Sequence, residues 1–120
     1  MEKQEFIEKF KKRTKKLSVD IILMYNTLQK TEATKIIGYQ IIKSATSTAA
    51  NYRASCISRS KKEFYSKISI TVEEADETVF WLEVLKDSKL APEDSINPLL
   101  IEAIEISKVV SKARKNTTFD

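Results

Sequence analysis

One glycine and two prolines in 120 residues is the feature that most limits what this chain can become. An ordinary soluble chain of that length carries roughly eight glycines and six prolines, which supply the special backbone angles of tight turns. Sandwiches, barrels, Rossmann units and P-loop folds need such turns in number; long helices joined by few connections do not. The composition therefore predicts an all-α protein. Its apolar fraction of 42% is enough for one core and too much for a disordered segment.

Histidine is absent as well. That removes Ser-His-Asp and Cys-His nucleophile systems, HExxH zinc sites and the Glu-x-x-His pairs of di-iron bundles. No catalytic residue, metal or cofactor is expected, and the chain reads as a non-enzyme. Cys56 is the only cysteine and is expected to be a small buried hydrophobe. No apolar run approaches the roughly 18 residues of a spanning helix, and the first residues, Met1-Glu-Lys-Gln-Glu5, lack the basic start of a signal peptide. A cytoplasmic protein without membrane attachment is expected.

Hydrophobic spacing then places four helices in a single domain spanning 1–120. Phe6, Phe10, Thr14, Leu17, Ile21, Met24 and Leu28 recur at intervals of three and four, predicting a helix over 3–29. Ile37, Ile41, Ala45, Thr48, Ala49, Tyr52 and Cys56 predict a second over 34–57. Within it the small residues Ser44 to Ala50 permit close approach by a neighbour, and Gly38 weakens the first turns by ~1 kcal/mol relative to Ala. Asn51, unfavourable in a helix interior, is expected to make a side-chain hydrogen bond.

Ser60-Lys-Lys-Glu63 has the form of a capping box and opens a third helix over 61–87, with Phe64, Ile68, Thr71, Ala75, Val79, Leu82 and Leu85 as its stripe. Pro98 suits a first turn, so the fourth helix is placed at 97–115, followed by a fraying tail from Asn116 to Asp120. Short connections make consecutive helices antiparallel neighbours, giving an antiparallel up-down-up-down four-helix bundle.

Two surfaces stand out. Residues 1–60 hold 12 basic and 5 acidic side chains, residues 61–120 hold 9 and 12. Lys9, Lys12, Arg13 and Lys16 share one helix face, and with Lys11, Lys15, Lys61 and Lys62 they are the candidate nucleic-acid contacts, suited to phosphates rather than base edges. On the third helix Ile70, Trp81 and Val84 lie off the core stripe, with Glu74 between them. This surplus apolar surface is the candidate subunit interface. Glu73 and Glu77 share a face, but without loop carbonyls or His they read as a solvated or ion-paired face rather than a metal site.

Ile41-Ile-Lys-Ser-Ala-Thr-Ser47-Thr-Ala-Ala-Asn51-Tyr-Arg-Ala, Ser60-Lys-Lys-Glu-Phe64 and Glu74-Ala-Asp-Glu77-Thr-Val-Phe-Trp81-Leu-Glu-Val-Leu85 together resemble a known family of four-helix bundle proteins. It includes proteins encoded in intervening sequences of bacterial large-subunit ribosomal RNA genes, often labelled ribosomal, and is related to the accessory variability proteins of diversity-generating retroelements. The resemblance implies a bundle that assembles as a ring, typically a homopentamer, with no known catalytic activity. It further implies nucleic-acid binding through basic surfaces, and a reverse transcriptase as partner in retroelement relatives. Ser47, Asn51, Glu74, Glu77 and Trp81 match family positions that read as structural, through hydrogen bonds between helices. The expectation is an oligomeric RNA-binding accessory protein; the alternative is a protein–protein adapter that stays monomeric until it meets its partner.

Overall fold

Four helices account for all the regular structure among residues 2–118, the residues that the computed structural model describes. They are α1 (Lys3–Asn26), α2 (Glu32–Ser55), α3 (Lys61–Asp87) and α4 (Glu93–Lys115), separated by connections of five residues each. Each helix packs on the next and α4 returns to α1, while the diagonal pairs do not meet. The result is an antiparallel bundle about 50 × 26 × 19 Å. The core holds residues of the three stripes read from the sequence, Phe10, Leu17 and Ile21, then Ile37, Ile41 and Tyr52, then Ile68, Leu82 and Leu85, and is closed by Ile96, Ile106 and Val110 of α4. Phe6, the first residue of the α1 stripe, is instead largely exposed, though its ring stacks on Phe10.

Three local features differ from the sequence reading. The full capping box lies at α2, where Thr31 Oγ1 accepts from the Thr34 amide and Thr34 Oγ1 accepts from the Thr31 amide. At α3 only half of it forms: Ser60 Oγ accepts from the Glu63 amide at 3.1 Å, while the Glu63 carboxylate faces Arg59 at 3.8 Å. Helix α4 starts a turn early. Pro92 is its N-cap, and the Pro92 carbonyl accepts from the Ser95 and Ile96 amides. Pro98 therefore sits in the second turn, where its missing N–H removes a bond to Asp94 near a solvent-exposed helix end. Of the tail, Thr117 Oγ1 donates to the Ala113 carbonyl at 2.9 Å, and Phe119 and Asp120 lie outside the described residues.

The chain also turns without glycine. At the end of α3 the Lys89 amide donates to the Lys86 carbonyl and the Leu90 amide to the Leu85 carbonyl, a Schellman closure. Its left-handed position is held by Lys89 at φ 59°, the only non-glycine residue with positive φ among those described.

Bonds between helices are few and specific. Ser18 Oγ donates to the Ala45 carbonyl at 3.0 Å, joining α1 to the small-residue stretch of α2. Thr78 Oγ1 lies 2.9 Å from Ser44 Oγ, joining α3 to α2 in a buried hydroxyl pair. Arg13 grips Glu102 through Nε and Nη2, both at 2.8 Å, joining α1 to α4.

Candidate nucleic-acid and subunit interfaces

The basic stripe of α1 divides when the helix packs. On the side toward α4, Arg13 is held by Glu102 and lies over the Phe10 ring, Lys9 pairs with Glu5 at 3.4 Å and Lys16 with Asp20 at 2.6 Å. The bond to Glu102 raises the Arg13 pKa against the opposing effect of burial, and the charges of Glu102 and Glu105 add to the rise. On the side toward α2, Lys11, Lys12 and Lys15 line a groove of about 580 Å³ between the two helices. Arg53 of α2 enters it from the other wall, and Val19, Ile22, Ala49 and Ala50 supply apolar lining. Lys11 pairs with Glu8 at 3.4 Å; Lys12, Lys15 and Arg53 have no carboxylate partner among the described residues. The place of Arg53 in the same groove as Lys11 depends on how α1 and α2 pair.

Topology also sorts charge by height. The half of the bundle holding the start of α1, the end of α2, the start of α3 and the end of α4 comprises residues 2–14, 44–73 and 105–118. It contains 14 of the 21 Lys and Arg residues against 6 acids. Lys61 and Lys62 belong to this end. Lys3, Arg59 and Lys61 rim a second hollow there, floored by Phe6, Ile7 and Phe64. Cys56 and Tyr52 lie in its wall. Cys56 is half-buried, and burial, then the neighbouring thiol, pushes the Tyr52 phenol above its ordinary range.

The second surface lies on α3 toward α2. Trp81 is half-buried; its Nε1 donates to Glu77 Oε1 at 3.3 Å and the Phe80 ring meets it edge-on at 5.0 Å. Val84 and Glu74 are likewise half-buried, and Ile70 is 37% exposed. Burial raises the Glu74 carboxyl pKa most, the charges of Glu77 and Glu73 add to this, and Lys43 of α2 opposes it. The largest exposed apolar side chains here are ones the stripe analysis passed over: Phe80 at 52%, and on α2 Ile36 at 55% and Tyr39 at 66%. Ile36 stands beside the core residue Ile37, and that adjacency hid it.

Among the family-pattern residues, Asn51 Nδ2 donates to the Ser47 carbonyl at 2.9 Å and to Ser47 Oγ at 3.1 Å. This bond, like that of Trp81 to Glu77, runs along one helix rather than between helices. Ser44 and Thr78, one turn away, make the bridging contact instead.

The helices thus form a bundle with a cationic end and an apolar, acid-flanked face between α2 and α3. The sequence model of the 23S rRNA-intervening sequence protein family matches residues 8–112, and the chain belongs to that family. A solved structure of a protein of unknown function from the S23 ribosomal protein family of Bacteroides thetaiotaomicron is similar at 26% identity and a TM-score of 0.78. The match covers 88% of this chain and 98% of that one. No curated protein matches the chain. Among the described residues no helix is long and apolar enough to cross a membrane, and no group of three or more Cys, Asp or Glu side chains is placed to hold a metal ion.

Proposed function

We propose that this protein is a non-enzymatic, self-associating helical scaffold of the cytoplasm that binds RNA electrostatically at its basic end. The observation that carries the reading is the gathering of 14 Lys and Arg residues in one half of the bundle, Lys12, Arg53, Lys61 and Lys62 among them being free of carboxylate partners among the described residues. Paired surface cations contribute little to an outside ligand; unpaired ones release counterions when a phosphate replaces them. Self-association rests on Ile70, Trp81 and Val84 with the exposed Ile36 and Phe80, an apolar area that a solitary bundle has no reason to leave in water. A closed ring, a pentamer being the form that the family resemblance implies, repeats the basic end around an axis and binds one RNA at several points.

The test is light scattering at micromolar concentration together with RNA binding across a salt series. The expected result is an oligomer whose RNA affinity falls steeply as salt rises. A monomer that binds no RNA at low salt overturns the proposal. The exposed Tyr39, Ile36 and Phe80 favour one second reading, an adapter that uses this face for a different protein; it predicts a monomer that gains a tight complex only with that partner.

A further inference from the structure

We propose that the exposed face of α3 docks against the surface between α1 and α2 of a second copy of the chain, so that each subunit offers a different side to each of its two neighbours; this rests on the self-association part of the reading above. The two sides match in chemistry. Glu73, Glu74, Glu77, Phe80, Trp81 and Val84 fall within one side of α3. The three carboxylates have no salt-bridge partner among the described residues, and they crowd one another, since the charges of Glu77 and Glu73 both oppose ionisation of Glu74. Between α1 and α2 the sign is reversed: Lys12, Lys15 and Arg53 are exposed cations without a carboxylate, and Val19 and Ile22 add apolar surface. Thr46, Ala49 and Ala50 keep the α2 side of this surface low, which lets another helix come close.

The two sides also match in height. Ser18 bonds to Ala45 and Thr78 to Ser44, so Ser18 of α1 and Thr78 of α3 stand at one level, and both helices rise from the basic end. With a rise of about 1.5 Å per residue, Lys12 and Lys15 lie about 9 and 5 Å below that level, and Glu73, Glu74 and Glu77 about 8, 6 and 2 Å below it. Above it, Val19 and Ile22 at about 2 and 6 Å stand level with Phe80 and Trp81 at about 3 and 5 Å. Each side is charged below and apolar above; only Ile70 breaks that order, at the level where Phe10 meets Tyr52.

Rotation about an axis parallel to the helices preserves height, so it sets carboxylate against cation and aromatic ring against Val19 and Ile22 without sliding. Pairing α3 with α3 would instead oppose like charges if the copies are parallel, and carboxylates with rings if one copy is inverted. Two different sides in one contact make it heterologous, and equal heights leave no translation along the axis, so the contacts close into a ring rather than a filament. Lys61 and Lys62 belong to neither side and stay open to RNA at the end of every copy.

The experiment is light scattering on the intact protein at micromolar concentration for the wild type, K12E/K15E, E73K/E77K and the chain with all four changes, with helix content read by circular dichroism. Lys12, Lys15 and Glu73 are exposed and Glu77 is half-buried. The expected result is a wild-type oligomer, self-association at least about tenfold weaker in each double variant at unchanged helix content, and recovery of the wild-type mass when all four changes are combined. Should a reversal lower helix content, K12Q/K15Q and E73Q/E77Q take its place, with an expected loss of about threefold each. Dissociation of E73K/E77K alone shows α3 paired with α3 and overturns the inference, as does a four-change chain that stays dissociated. Assembly of both double variants at wild-type strength overturns this contact while leaving self-association intact. A wild-type monomer overturns the self-association reading and the contact with it.

Discussion

The ring of Tyr25 occupies the space in which a side chain at residue 38 would begin: a Cβ on Gly38 would lie 2.2 Å from Tyr25 Cε1. The one glycine of the chain is thus where α1 meets α2 through an aromatic ring, and Lys30 Nζ lies 4.3 Å from the centre of the same ring. Two opposed effects act on Gly38→Ala. Helix propensity favours it by ~1 kcal/mol, and forcing the ring out of a packed position costs about 1–3 kcal/mol. The expected outcome is a net loss of about 1 kcal/mol in urea unfolding, and a reversal of sign in the Tyr25→Ala background, where the ring is gone.

The left-handed residue at the end of α3 gives the opposite case. Lys89 takes φ 59° with its Cβ in place, a conformation that costs non-glycine residues about 1 kcal/mol. Lys89→Gly should raise stability by about 0.5–1 kcal/mol with no change in helix content, read from thermal and urea unfolding. A loss instead would mean that the Lys89 side chain contributes packing that outweighs the backbone cost.

Arg13 and Glu102 make the two-point contact that fastens α1 to α4. Both side chains are about one-third exposed, so solvent screens the pair and its worth is small, about 0.5–1 kcal/mol. Glu102→Gln should lower stability by about that much at low salt and by less at 1 M salt. Arg13→Lys keeps the charge but loses the fork geometry, and should recover only part.

Glu74 sets a pH dependence with a definite sign. Its carboxyl pKa is raised in the folded chain, first by burial and then by Glu77 and Glu73, so the native state holds this proton to higher pH than the unfolded state does. The stabilisation is complete below the ordinary carboxylate range and is lost as pH rises through the raised pKa. Glu74→Gln should therefore flatten the pH–stability curve just above that range and raise the melting temperature at pH 7. If a second copy supplies a cation to Glu74, the same variant will also weaken self-association in light scattering.

How far the sequence could be read follows from which forces are local. Periodicity of three and four exposed the core because a helix carries its own repeat: Phe10, Ile21, Ile41, Ile68 and Leu82 all lie inside the bundle. Capping was legible only in part. Ser60-x-x-Glu63 looks like a reciprocal box, but Glu63 has Arg59 as a competing partner, whereas Thr31-x-x-Thr34 closes fully with no acid at all. The start of α4 was misplaced because two prolines six residues apart both suit a helix start; the carbonyl of Pro92 receives amides from the first turn, so it is the one that caps.

The sequence alone determined that this chain is helical, in four pieces, without the residues of common catalytic sites. Those properties follow from side-chain chemistry and spacing along one strand of backbone. Only the tertiary structure decided which cations remain unpaired, that Arg53 joins Lys12 across a groove, and that the net charge divides between the ends of the molecule as well as between the halves of the chain. Charge and exposure depend on distances between helices, and antiparallel packing brings together residues that are remote in number while separating neighbours on one face.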